Sequence, residues 1–218
     1  ILVVSPHSEK ESARASLAIQ TLEVLDSLNV QVQVDFLRPA SLTSLSEHLA
    51  ESPGHYHLAY FDAITLSTPG GMELDTDLDD EGSGVSISAG HIGEILSSGG
   101  VPVALLNVGD NPSNPDQDSP GQGLNEFAAG LAASGVPVVA TLPYPLAGPA
   151  RELFLKTFYQ ELVKGQDAGM VVAKCRTALM DNPRRPSPMG KQIFWDWIGP
   201  NVWQSQSYTP PTIVEEQP

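Results

Sequence analysis

Apolar residues recur along the chain with two alternating periods. Residues 1–5 form a short, β-branched apolar run that reads as a buried strand. Over residues 12–28 the apolar positions Leu17, Leu22, Val24, Leu25 and Leu28 follow helical spacing, with Asn29 as the stop. Val30, Val32, Val34 and Phe36 then alternate with Gln31, Gln33 and Asp35, which predicts a half-buried strand. Leu42, Leu45 and Leu49 place an amphipathic helix over residues 41–50, and residues 55–62 read as the next strand.

Residues 65–83 differ in character. Pro69-Gly70-Gly71 is followed by the carboxylates Glu73, Asp75, Asp77, Asp79, Asp80 and Glu81, interrupted only by Met72, Leu74 and Leu78 as large apolar residues. This pattern predicts a β-hairpin turning at residues 80–84. Residues 88–98 read as a helix with Ser88 as N-cap and Gly99-Gly100 as stop. Residues 101–108 are almost wholly apolar, as in a central parallel strand buried on both faces.

Residues 110–123 hold no large apolar side chain and are expected to be an exposed loop. A helix over 124–134, a second central strand over 136–142 and helices over 148–164 and 168–180 follow, the last stopped by Asn182-Pro183. Residues 183–190 are Pro/Arg-rich and read as a linker. Residues 193–208 hold all three tryptophans and read as a last strand, with Trp195, Trp197 and Trp203 in core and edge packing. Residues 209–218 form an acidic, Pro-rich tail expected to be disordered.

Strands alternating with helices predict one α/β domain over residues 1–208. Its expected form is a three-layer α/β/α sandwich on a mainly parallel sheet of about six strands, plus the small acidic hairpin. Functional groups in such sheets gather at the C-terminal ends of the strands. Attention therefore falls on the loops after residues 62 and 108.

Composition narrows the partners. The 218 residues carry 26 Asp+Glu against 11 Lys+Arg, a formal charge of −15. Phosphate-rich partners such as nucleic acid or an anionic membrane would be repelled. Cys175 is the single cysteine, so no internal disulfide can form, which fits a reducing, cytoplasmic setting. No apolar run has the length of a membrane span. A strand-like start without a basic flank suggests a domain cut from a longer chain.

Common cofactor signatures are missing: there is no GxGxxG after a strand, no P-loop and no GxSxG elbow. His7, His48, His55, His57 and His91 share no metal-ligand spacing with cysteine or carboxylates. His55 and His57 share one face of a strand, which also fits a solvated edge. Asp75, Asp77 and Asp79 alternate as hard oxygen donors. They lack the Gly and Glu positions of an EF-hand loop, so a solvated hairpin face is the preferred reading. Neither a cofactor nor a metal is expected.

Six fragments, in order, resemble the CHAT domain, a caspase-like cysteine peptidase family often attached to tetratricopeptide repeats. VQVDFLRPASLTSLSEHLAE is similar to the family's strand, L-x-P-A-T and helix. YHLAYFDAIT sits where the family has H-F-D-G-H-G. MELDTDLDDEGSGVSISAGHIGEIL resembles its hairpin, acidic turn and I-S-A helix. VPVALLNVGDN sits at V-x-L-N-A-C-x-S. GVPVVATLPYPLAGPARELFLKTFYQELVKG and DWIGPNVWQS resemble its closing strands and helix.

The resemblance implies a Cys–His dyad on two neighbouring strand ends, in which a thiolate attacks and an imidazole handles the protons. At the histidine position, however, this chain has Ile64, followed by Thr65. At the cysteine position it has Gly109. Neither can fill the role, and Cys175 falls mid-helix among apolar residues. A catalytically inactive pseudoprotease is therefore expected: a scaffold, regulatory or peptide-binding module.

The candidate rim comprises Phe61, Asp62, Thr65, Asp110, Asp116 and Asp118, with Phe61 and Ile64 as an apolar pair. Its acidity favours a basic peptide or protein, and the flanking helical repeats of a parent chain are the other expected partner. Two alternatives stay open. One is a hydrolase with a nonstandard site built on Asp62 and Asp110. The other is a metal- or nucleotide-binding α/β domain.

Overall fold

In the computed structural model, which describes residues 1–5, 18–64, 66, 71–78, 84–108, 120–143, 146, 148–187 and 189–212, the predicted alternation closes into one six-stranded sheet. The first half supplies β1 (Leu2–Val4), α1 (Ala18–Ser27), β2 (Asp35–Leu37), α2 (Leu42–Glu51) and β3 (Ala59–Ile64). A hairpin of β4 (Gly71–Leu78) and β5 (Gly84–Ser88) leads into α3 (Ala89–Ser98), then β6 (Val103–Val108) and α4 (Pro120–Ala133). The last third supplies β7 (Val138–Leu142), α5 (Gly148–Val163) and α6 (Ala168–Asp181). A second hairpin, β8 (Arg184–Ser187) and β9 (Gly190–Ile193), precedes a 3-10 turn (Asp196–Ile198) and β10 (Asn201–Gln204).

The sheet runs β2-β1-β3-β6-β7-β10, with the first five strands parallel and β10 antiparallel on β7. Every residue of β6 and β7 is buried, as their continuous apolar runs require. Alternate side chains feed two separate cores. Leu2, Val4, Phe61 and Leu106 face α2, α3 and α4, together with Met72 and Ile87 from the acidic hairpin. Val3, Tyr60, Leu105 and Ala140 face α1, α5 and α6. The molecule is thus an α/β domain in three layers.

Local chemistry sets the helix ends. Ser41 and Ser44 form a reciprocal capping box on α2, each hydroxyl accepting the other's backbone N–H at 3.0 and 2.9 Å. Ser88 caps α3 as predicted. Asp167 caps α6 through the Met170 N–H at 3.1 Å. The Ser207 hydroxyl, with backbone donors of α6, holds its carboxyl below the usual range.

Five predicted segments differ from the structure, each for a visible reason. Regular pairing of β2 begins only at Asp35, whose carboxylate accepts the Tyr56 hydroxyl at 2.8 Å. Val32 and Val34 pack inward while Phe36 is 46% exposed, so the inward parity slips at Asp35. The strand expected over residues 55–62 is β3, displaced toward Ile64, because Gly54 turns with φ 76° and donates to Gly99 O.

Helix α4 starts at Pro120, inside the predicted loop; proline's missing N–H costs nothing in a first helical turn. The presumed linker over 183–190 is instead the β8–β9 hairpin, which turns through Gly190 at φ 92° and tolerates Pro186 because the sheet has only two strands. The last strand is short, since Gly199-Pro200 separates it from the 3-10 turn. Residues 209–212 are described without regular structure, and 213–218 lie outside the described residues. Among the described residues, no helix is long and apolar enough to cross a membrane.

Candidate functional site

Strands β3 and β6 lie side by side, run in the same direction and end together: Ile64 pairs with Val108. The register shifts between Phe61 and Ile64, a bulge that alters the alternation. Strict alternation would send Phe61 and Ile64 to opposite faces. Both instead join the core beneath α2, α3 and α4, each 0% exposed. The predicted pair is brought together, and it is buried.

Asp62 points to the other face and is also 0% exposed. Its Oδ1 accepts the Tyr60 hydroxyl at 2.9 Å and the Asn107 amide at 3.4 Å. Burial pushes the Tyr60 phenol well above its ordinary range and the Asp62 charge adds to this, while Arg151 of α5 acts in the opposite sense. Tyr159 belongs to the same buried group. Burial raises its phenol too, and it lies by Thr21 with neither hydroxyl in a well-formed hydrogen bond. Asp62 is therefore a carboxylate enclosed by phenols and an amide within the domain, not one displayed at a surface.

Thr65, Gly109, Asp110, Asp116 and Asp118 lie outside the described residues. Sequence reading singled out Asp62 but missed its company. The signals were there: Tyr60 stands two residues away on the same strand face, and Asn107 is the single polar residue in the apolar run VALLNV.

Cys175 sits on α6 against Phe154, whose carbonyl accepts its thiol hydrogen at 3.7 Å. It is buried, and desolvation pushes its pKa upward, the reverse of what a nucleophilic thiolate requires. Histidines on described segments are engaged elsewhere. His48 Nε2 lies 2.7 Å from the Tyr56 hydroxyl, and His91 is in the first turn of α3. His55 and His57 precede β3, at the opposite end of the sheet, and burial lowers the His57 pKa. They flank a cavity of about 380 Å³ whose walls, including Leu25, Leu58, Val103 and Leu162, are mainly apolar. Among the described residues no three His, Cys, Asp or Glu side chains gather as a metal-binding group.

The tryptophans are not alike. Trp203 packs on the α2–α4 face, and Trp197 on the other beneath Arg176, 6.0 Å from its ring centroid. Trp195 is 68% exposed rather than packed. No family model matches the chain, and no curated protein matches it.

Proposed function

We infer that this is a caspase-like domain of CHAT type without peptidase chemistry, acting as a protein- or peptide-binding scaffold. The observation that carries this reading is the pairing of Ile64 with Val108 on the adjacent ends of β3 and β6. A Cys–His pair in the implied positions would stand on those two strand ends. Ile64 offers no titratable group there, and Gly109, the next residue after Val108, has no side chain. The buried thiol of Cys175, held protonated on α6, supports the same conclusion. So does Asp62, whose 0% exposure keeps it from serving a nonstandard hydrolytic site.

An inactive strand-end surface still binds extended chain, because backbone pairing and side-chain pockets do not depend on a nucleophile. Asp110, Asp116 and Asp118 follow the β6 strand in sequence and set its preference toward basic segments. Fluorescence anisotropy with a labelled peptide alternating Lys and Val tests this at low salt. Binding is expected, and Asp110→Asn/Asp116→Asn/Asp118→Asn should weaken it about tenfold, as loss of several rim charges does. Equal affinity for the triple variant would remove the acidic rim from the account.

A further inference from the structure

The β8–β9 hairpin carries a surface of opposite chemistry. Arg184 pairs with Ile193 and Pro186 with Lys191 across the ladder, so these four side chains share one face. All four are exposed, Ile193 by 63%, and Trp195 follows at 68%. The intervening Arg185 points the other way, is 3% exposed and is bound by Asp196. The hairpin is therefore anchored from behind and presents a face of two cations and two apolar side chains, with the exposed Trp195 just beyond the end of β9.

Neither Arg184 nor Lys191 makes an ion pair with a described residue, whereas Lys164, Lys174 and Arg185 all do. Charge along the chain is unevenly distributed. Residues 151–191 hold eight of the eleven Lys+Arg, against the four carboxylates Glu152, Glu161, Asp167 and Asp181. The hairpin is the exposed end of this basic segment in a chain of net charge −15.

Its place in the fold follows from α6. Gly169 in the first turn lies against Gln204, where β10 ends, and Arg176, two turns on, donates to Trp197 O at 3.1 Å. The helix thus delivers the hairpin to the end of the sheet where β7 finishes. The hairpin is its own two-stranded sheet. Phe194 N–H donates to Pro183 O, so by the antiparallel alternation Lys191 and Ile193 of β9 turn their N–H groups outward, while Pro186 removes one such donor from β8.

We propose that this face docks an acidic, extended segment of a partner protein, with carboxylates and apolar residues taking turns at every second position, so that both kinds lie on the one face that meets the hairpin. Such a segment lays its carboxylates on Arg184 and Lys191 and its apolar side chains on Ile193 and Trp195, and pairs along β9. The face is built from the residues of the β8–β9 hairpin alone, and its test uses variants that leave Asp110, Asp116 and Asp118 in place.

The test is anisotropy of a fluorescein-labelled peptide repeating Glu-Thr-Val-Thr, which sets Glu and Val on one strand face, with tryptophan emission read against a Trp195→Phe variant as a second readout. Binding should blue-shift the emission. Arg184→Glu/Lys191→Glu should weaken it about tenfold, and Ile193→Ser should weaken it while leaving the charges in place. All of these positions are exposed, so the variants keep the fold, which circular dichroism checks. Affinity unchanged by both variants overturns the proposal. So does concentration-dependent dimerisation abolished by the charge reversal, which assigns the face to a second copy of the chain.

Discussion

Arg185→Ala should destabilise the domain by about 3 kcal/mol, within the range for removing one partner of a buried ion pair. The guanidinium is 3% exposed and meets Asp196 with two hydrogen bonds, Nε to Oδ2 at 3.1 Å and a terminal nitrogen to Oδ1 at 3.3 Å. Two parallel bonds fix both distance and plane, which a lysine cannot reproduce. Alanine leaves the Asp196 carboxylate, itself 13% exposed, without its cation in the seat of the hairpin. Arg185→Met combined with Asp196→Leu should recover most of the loss, because the expensive state is the orphaned charge rather than an apolar contact. Urea unfolding at constant slope measures both. A single variant within about 0.5 kcal/mol of the parent, the ordinary range for a surface change, would mean the pair does not hold the hairpin.

Asp62→Ala should cost about 3 kcal/mol as well. It strips the acceptor from the Tyr60 hydroxyl and the Asn107 amide, each a buried donor costing about 1–3 kcal/mol when unpaired. Asp62→Asn retains an acceptor oxygen and removes the buried charge, so it should fall within about 1 kcal/mol of the parent. The contrast separates a structural carboxylate from a catalytic one. A structural Asp62 loses stability in the alanine variant and loses nothing functional in the asparagine variant. Equal stability of all three proteins would show that the Tyr60 and Asn107 contacts contribute nothing.

Much of the fold was legible because the core strands repeat one rule. VALLNV and VVATL are apolar without interruption, and only a strand covered on both faces accommodates that. The order of helices and the acidic hairpin followed from periodicity and glycine punctuation. Boundaries failed where a long-range contact outweighed local pattern. Asp35 shifts the parity of β2 by reaching Tyr56, twenty-one residues away in sequence. Residues 183–190 looked like a linker since Pro is a poor strand former and three prolines fall within them. Their pairing rests instead on the buried Arg185–Asp196 contact, which no local window contains.

The candidate site was legible in outline and not in depth. Ile64 and the end of β6 were expected to be neighbours, and their pairing is direct. That Ile64 would face the same core as Phe61 depends on a bulge, and a bulge leaves no mark in the alternation of a strand as short as AYFDAI. Asp62 stood out as a carboxylate at a strand end. Its enclosure by Tyr60 and Asn107 needed the neighbouring strand in register.

The central claim is that the strand ends of β3 and β6 bind without cutting. Hydrolysis of a quenched fluorescent peptide library by the purified domain, present at concentrations where labelled peptide is bound, tests it most directly. The account predicts no turnover above the buffer blank, with or without thiol alkylation or EDTA. Turnover that persists through repurification and is lost in Asp62→Asn or Asp110→Asn would contradict it.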